Sequence, residues 1–336
     1  MLLFCGLFLW SCQSAPTESK PGTWQIVRES QEDFHYWSVH FADLNNGWAV
    51  GDSGKVLHTT DGGNTWEYQQ SGTPNNLRDV YFVDSQYGWA AGSNNTIFHT
   101  VDGGKSWASQ SIKSDTAKIY YHIYFSDEQT GWIVSNYGKI LQTTNGGASW
   151  KVQTRSESSG GAKCLSFINE NVGFAILPGL TFLKTINGGA EWTSAPLQLT
   201  CPERQYNTFE PTDLFFTDEQ HGWIATLTYS SVAIDSTPIF YTTNGGDTWI
   251  CQNSLFIQYF PSIHFIDNLT GWTIGKQWAK QPSTSMIFHT TDGGRTWEAQ
   301  VDTPTEYNFT HDIFFIDTSH GWALGSQGAI YKYTVP

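Results

Sequence analysis

Basic side chains are scarce in this sequence. Seventeen Lys and Arg stand against 31 Asp and Glu over 336 residues, giving a formal net charge of −14, and only five of the cations are arginines (Arg28, Arg78, Arg155, Arg204 and Arg295). Such a surface repels phosphate backbones and anionic headgroups, which argues against nucleic acid as a partner. Helical periodicity is missing too: no long stretch repeats its apolar residues every three to four positions, which argues against a helical or α/β fold. The apolar run at residues 1–10, MLLFCGLFLW, is too short to span a bilayer. Beyond the N-terminus three cysteines remain, Cys164, Cys201 and Cys251. An odd number without close spacing provides neither a metal site nor a disulfide framework, and a single Cys201–Cys251 bridge stays open as an option. What the chain has instead is 32 glycines, 16 tryptophans and 15% aromatics, the make-up of many short strands joined by tight turns.

The strands come in repeats. The box TTDGGNTW at residues 59–66 recurs as VDGGKSW (101–107), TNGGASW (144–150), INGGAEW (186–192), TNGGDTW (243–249) and TDGGRTW (291–297). A second signature, a Phe followed seven residues later by the aromatic of a Gly-aromatic pair, occurs seven times: Phe41/Trp48, Phe82/Trp89, Phe125/Trp132, Phe167/Phe174, Phe216/Trp223, Phe265/Trp272 and Phe315/Trp322. The first four units repeat every 41 to 43 residues, the length of a four-stranded propeller blade. Within a unit, LRDVYFVD reads as the inner strand, GWAAG as the second, NTIFHT as the third and WASQS as the fourth, with the box in the turn between the third and fourth. Seven Gly-aromatic pairs but six boxes leave one blade short of a strand, and PGTWQIV at 21–27 supplies it. The expected fold is therefore an all-β, seven-bladed propeller over residues 22–336, closed by an N-terminal strand that completes the last blade and so removes an exposed sheet edge.

An acidic residue beside two glycines could cradle a phosphate, hold a metal or make a turn. The box position is Asp at Asp61, Asp102 and Asp292 but Asn at Asn145, Asn187 and Asn244. That exchange keeps a turn-capping oxygen and destroys a general base or strong metal ligand, so these six residues are expected to be structural. The same holds for Asp43, Asp84, Asp127, Asn169, Asp218, Asp267 and Asp317 after each inner strand. His58, His99 and His289 occupy one equivalent position in three blades, spread around the ring, and cannot share an ion. No metal or other cofactor is expected. Thirteen of the 16 tryptophans fall in the repeats as inter-blade packing residues, each removing about 150 to 250 Å² from water. That burial is worth at most roughly 4 to 6 kcal/mol apiece before ordering entropy.

Function is expected on one face. The spacing from the Gly-aromatic pair to the box is 13 residues in blades one to four but 21 in blade five and 20 in blade six, and the connection from Trp192 to Phe216 takes 24 residues in place of 16 to 18. Strand order places all three insertions, near 200–211, 227–238 and 275–285, on the same face, and variable loops on a rigid scaffold are where binding resides. They carry Tyr206, Tyr229, Lys276, Trp278 and Lys280. Toward the axis on that face the inner strands begin with Trp37, Arg78, Tyr121, Lys163, Thr212, Pro261 and His311, followed by Ser38, Asp79, His122, Cys164, Asp213, Ser262 and Asp312. The candidate binding set is Trp37, Arg78, Tyr121, His122, Lys163, Tyr206, Tyr229, Lys276, Trp278 and His311. Asp79, Asp213 and Asp312 bond backbone at the channel mouth on one reading. On the alternative they are the carboxylate pair of a glycan-active enzyme, which needs two such groups roughly 5 to 10 Å apart.

Two resemblances sharpen these expectations. The Leu-x-Ser-Cys ending of the apolar run resembles a bacterial lipoprotein box, which implies a signal peptide at 1–11, a lipidated Cys12, a tether over 12–21, and a protein of the bacterial cell envelope, lipid-anchored or secreted. The Ser/Thr-x-Asp-x-Gly-x-Thr-Trp style of box resembles the Asp-box or BNR repeat. With GWAVG and closure at seven blades, residues 22–336 look most like the photosystem II stability and assembly factor family. The resemblance implies a non-enzymatic, monomeric scaffold that binds a protein partner, with the glycan-active propeller as the alternative. Family members that assist photosystem assembly carry a basic surface patch, whereas the five arginines here are scattered, which points away from a photosynthetic client. The aromatic-Arg-Ile-Pro opening of sialidases is absent. Blade four departs from the repeat, with Phe174 for Trp and Glu191 for the box hydroxyl.

Overall fold

The computed structural model describes residues 22–29, 34–110, 112, 118–154, 164–202, 209–228, 237–252, 257–277, 284–302 and 309–335. They form seven antiparallel sheets of four strands, the blades of a closed propeller. The expected signal peptide, Cys12 and the tether lie outside the described residues. Blade two shows the plan, with strands Leu77–Phe82, Gly88–Gly92, Ile97–Thr100 and Ala108–Gln110. Its second strand, GWAAG, is buried along its whole length because both faces meet a neighbouring blade. The first and last of the described strands share blade seven: Thr23–Arg28 pairs antiparallel with Ile330–Thr334 in the register Thr23↔Thr334, Trp24↔Tyr333, Gln25↔Lys332 and Ile26↔Tyr331.

The two repeat signatures meet at the blade interfaces. Phe82 of blade two stacks on Trp48 of blade one at 3.4 Å, Phe125 on Trp89 at 3.5 Å, and so on around the ring to Phe41, which stacks on Trp322 of blade seven at 3.4 Å. The Phe ring also lies over the glycine of its own Gly-aromatic pair: a Cβ at Gly88 would run into the Phe82 ring, which is why glycine precedes each aromatic. The box tryptophan closes the third side edge-on, as Trp107 does against Phe82 at 5.9 Å. Trp24 takes that place in blade seven, at 5.7 Å and 87° to Phe315. The Gly-aromatic tryptophans are fully enclosed, at most 1% exposed. Apart from Trp249, the box tryptophans keep an edge in solvent, so the upper figure for burial applies to the first set alone.

The box turns fasten neighbouring blades. Trp48 Nε1 donates to Gly103 O, Trp89 to Gly146 O, Trp132 to Gly188 O, Trp223 to Gly293 O and Trp322 to Gly62 O, each at 3.0 to 3.1 Å into the box of the next blade. Blade seven has a strand in place of a box, and Trp272 of blade six is accordingly left with a buried indole N–H that has no partner among the described residues. Phe174 of blade four makes the same stack, on Phe216 at 3.6 Å, without any N–H to satisfy. Trp272→Phe is therefore expected to destabilise the protein less than Trp89→Phe by about 1 to 2 kcal/mol. Equal losses in urea denaturation would mean that the indole hydrogen bond carries no weight.

The box geometry explains its tolerance of both Asp and Asn. Asp61 Oδ1 accepts from Thr59 Oγ1 and the Thr65 N–H, and Oδ2 accepts from Thr65 Oγ1 at 2.7 Å. In blade three Asn145 keeps the Oδ1 bonds while its Nδ2 donates to Ser149 Oγ at 2.9 Å. The hydroxyl turns from donor to acceptor, and the turn survives.

Blades five and six rise above the others on the inserted face. Their second strands, Gly222–Thr228 and Gly271–Gln277, run seven residues against five in blades one to four. Tyr259 bridges both through Leu227↔Tyr259 and Tyr259↔Lys276. The Cys201–Cys251 disulfide is formed, tying the connection that enters blade five to that blade's outer strand across a Cα separation of 5.3 Å.

Candidate functional site

The axial channel is built by the inner strands, and four of the seven start with the same distortion. Register shifts between Tyr36 and Ser38, Leu77 and Asp79, Tyr120 and His122, and Pro211 and Asp213 mark β-bulges. The extra residues, Trp37, Arg78, Tyr121 and Thr212, are thereby released from the ladder at the channel mouth. Asp79, His122 and Asp213, the next residues in three of these strands, line an axial cavity of 380 Å³.

Three carboxylates in this belt bridge blades. Asp79 Oδ1 accepts from Ser38 Oγ of blade one at 2.7 Å and from the Val80 N–H at 2.9 Å, and Oδ2 accepts from the Ile123 N–H of blade three at 2.7 Å. Asp312 repeats the pattern with Ser262 Oγ, the Ile313 N–H and, across the closure, the Val39 N–H of blade one at 2.9 Å. Asp213 takes the Leu214 and Ile263 N–H groups. Burial pushes the Asp79 and Asp312 carboxyls up to about 7 and Asp213 up to about 6, against the pull of these donors. His122 Nδ1 lies 3.6 Å from Asp79 Oδ2. Its burial holds the imidazole below its usual range, partly offset by Asp213.

Above the belt lies the mouth. The Arg78 guanidinium sits 3.9 Å from the Trp37 ring centroid, and the His311 ring lies 4.0 Å from the same indole. Trp37 Nε1 donates to Asp52 Oδ1 at 2.7 Å, which fixes the ring. Lys276, at the top of the raised wall, lies with its ammonium 5.7 Å from the Tyr259 ring.

The structure thus gathers Trp37, Arg78 and His311, with Tyr121 beside Arg78 and His122 one step down the channel. Lys163, Tyr206, Tyr229, Trp278 and Lys280 lie outside the described residues. His58, His99 and His289 each stack on the tryptophan of their own blade at 4.6 to 4.7 Å, well away from the axis. Among the described residues no three His, Cys, Asp or Glu side chains come together as metal ligands.

Four residues of the site escaped the sequence reading. His40 and His264 line the channel two positions below the belt, on the same face of their strands, and burial holds them at about 3 and about 4. The period of two would have shown them. His35 and Asp52 sit in blade one alone, one preceding the inner strand and one in a turn, with no repeat to point to either.

The sequence profile of the photosynthesis system II assembly factor YCF48 family matches residues 16–108, 66–152 and 109–208, more than half of the chain. The chain belongs to that family. Among solved structures, YCF48 bound to D1 peptide is 20% identical, with a TM-score of 0.72 over 95% of this chain and 98% of that one. YCF48 from Cyanidioschyzon merolae is also 20% identical, with a TM-score of 0.73 over 93% and 99%. The GH74 enzyme of Niastella koreensis is 11% identical, with a TM-score of 0.67 over 92% of this chain and 53% of that one. At these identities the likeness is one of fold, and the same fold serves an assembly factor and an enzyme. No curated protein sequence matches the chain.

Proposed function

We propose that this YCF48-family propeller is a non-enzymatic scaffold that holds a polypeptide partner on its inserted face and assists assembly. The observation that carries the reading is the engagement of the axial carboxylates. Both oxygens of Asp79, Asp213 and Asp312 accept backbone N–H groups, one of them from the next blade, so a catalytic pair would have to give up the bonds that hold the ring together. A propeller with its acids so occupied is suited to binding. The D1 peptide named with the solved YCF48 supports a polypeptide as the partner.

Two exposed side chains add to this. Tyr137 and Leu180, in the turns between second and third strands of blades three and four, are 44% and 39% exposed on the inserted face. Both are held at positive φ, 65° and 55°, as are Ser53, Asn95 and Gln327 in the equivalent turns of other blades, so the repeat sets the backbone there and leaves two apolar side chains in solvent. The Cys201–Cys251 bridge supports an oxidising compartment, in keeping with export to the cell envelope and lipid attachment at Cys12.

Photo-crosslinking tests the docking face. A benzophenone amino acid at position 137 or 180 is expected to capture a discrete protein in the native host, and one at Val101 or Ile186, exposed on the opposite face, to capture none. Capture from 101 and 186 alone would refute the docking face. Turnover of any glycan in a panel, lost in Asp79→Asn or Asp213→Asn folded protein, would refute the scaffold.

A further inference from the structure

Two cations meet at the channel mouth of a chain whose net charge is −14. Arg78 enters from blade two and Lys276 from blade six, while His35 and His311 come from blades one and seven. Lys276, His35 and Arg78 all act on the His311 ring, and together with burial, the largest cause, they hold it down to about 2. Burial also lowers Lys276 to about 8.

Among the described residues neither Arg78 nor Lys276 makes an ion pair. Asp52 is the acid at hand, and its oxygens are taken by Trp37 Nε1 at 2.7 Å and the His35 N–H at 3.0 Å. It attracts Arg78, yet no ion pair joins them, and Arg78 Nε is buried without a hydrogen-bond partner among the described residues. A planar guanidinium with an unpartnered Nε–H lies on an indole ring, and an ammonium acts on the same His311 ring from another blade. The arrangement matches what a carboxylate requires.

We infer that the channel mouth is a carboxylate-binding site, with Arg78, held against the Trp37 ring, hydrogen-bonding the carboxylate oxygens and Lys276 completing the charge. This rests on the docking face proposed above and gives the chemistry of the group presented to it. A free polypeptide C-terminus and a small organic carboxylate share that chemistry. The cluster is one Arg, one Lys and two His around one Trp, drawn from four blades, so it depends on the closed ring rather than on any single sheet.

Calorimetric titration of the full chain tests the site with three probes: an N-acetylated Gly/Ala hexapeptide with a free C-terminus, its C-terminally amidated twin, and citrate. The free-acid peptide is expected to bind at least tenfold more tightly than its twin, and Arg78→Gln or Lys276→Gln to weaken it at least tenfold. Arg78→Lys is expected to recover part of the loss, which a misfolded variant would not do. Citrate binding with the peptide silent assigns the site to a small carboxylate. Equal affinity for peptide and amide, no carboxylate bound, or undiminished binding in folded Arg78→Gln and Lys276→Gln protein would overturn the inference. If those variants bind the free-acid peptide undiminished and still crosslink the partner from position 137, the carboxylate site falls and the docking face stands. If position 137 captures nothing while the free-acid peptide binds, the docking face falls alone.

Discussion

Asp79→Asn is expected to lower the free energy of unfolding by about 3 kcal/mol, while Asp61→Asn leaves it within about 0.5 kcal/mol. The two positions differ in what faces the second carboxylate oxygen. At Asp61 it is the hydroxyl of Thr65, which can rotate from donor to acceptor, as Ser149 does for Asn145. At Asp79 it is the Ile123 backbone N–H, which can only donate. An amide nitrogen placed against it leaves two donors facing each other inside the channel and unties blade two from blade three. Urea denaturation of the two variants checks this directly, and equal losses would dismiss the distinction.

The same belt sets a pH dependence. Burial raises Asp79 and Asp312 to about 7 in the folded protein. A carboxyl that holds its proton more tightly folded than unfolded contributes stability that is full below about pH 4 and is lost as pH rises through about 7. The wild-type urea midpoint is therefore expected to fall between about pH 5 and about pH 8, and to fall less in Asp79→Asn.

Deleting residues 22–28 is expected to have the largest effect of all. The strand makes a ladder with Ile330–Thr334, worth about 1 kcal/mol per hydrogen bond, and Trp24 closes the pocket around Phe315, a residue class whose truncation costs about 3 to 5 kcal/mol. The sum rivals the whole stability of an ordinary domain, about 5 to 15 kcal/mol. The truncated chain should unfold at far lower urea and aggregate through the bared edge of Ile330–Thr334, and a synthetic peptide spanning 22–29 should restore the midpoint. An unchanged midpoint would mean that the ring does not depend on its closing strand.

The architecture was legible because it is written several times. Phe, Gly-Trp and the box recur with fixed spacing, so the missing seventh box and the spare Trp24 are matched by sequence alone. Counting from each Phe also placed Asp79, Asp213 and Asp312 on one belt. What the repeats do not encode was hidden. The bulges that release Trp37 and Arg78 are properties of pairing between strands. Asp52 and His35 occur in one blade, and the Cys201–Cys251 pairing depends on how an inserted connection folds back. That Trp272 lacks an acceptor follows from the closure, yet it becomes visible only when each indole is traced into the blade beyond it.

The shared last blade also governs how the molecule is made. Thr23–Arg28 is synthesised well before its mate, Ile330–Thr334, with six blades in between. A nascent polypeptide leaving a ribosome or a translocation pore must carry that strand, with its tryptophan uncovered, until the six intervening blades have emerged. Its final docking spans almost the whole length of the molecule, the kind of late long-range contact that makes assembly slow. During that interval the orphaned segment and the waiting edge are the places where a chaperone, or a second unfinished copy, would find purchase.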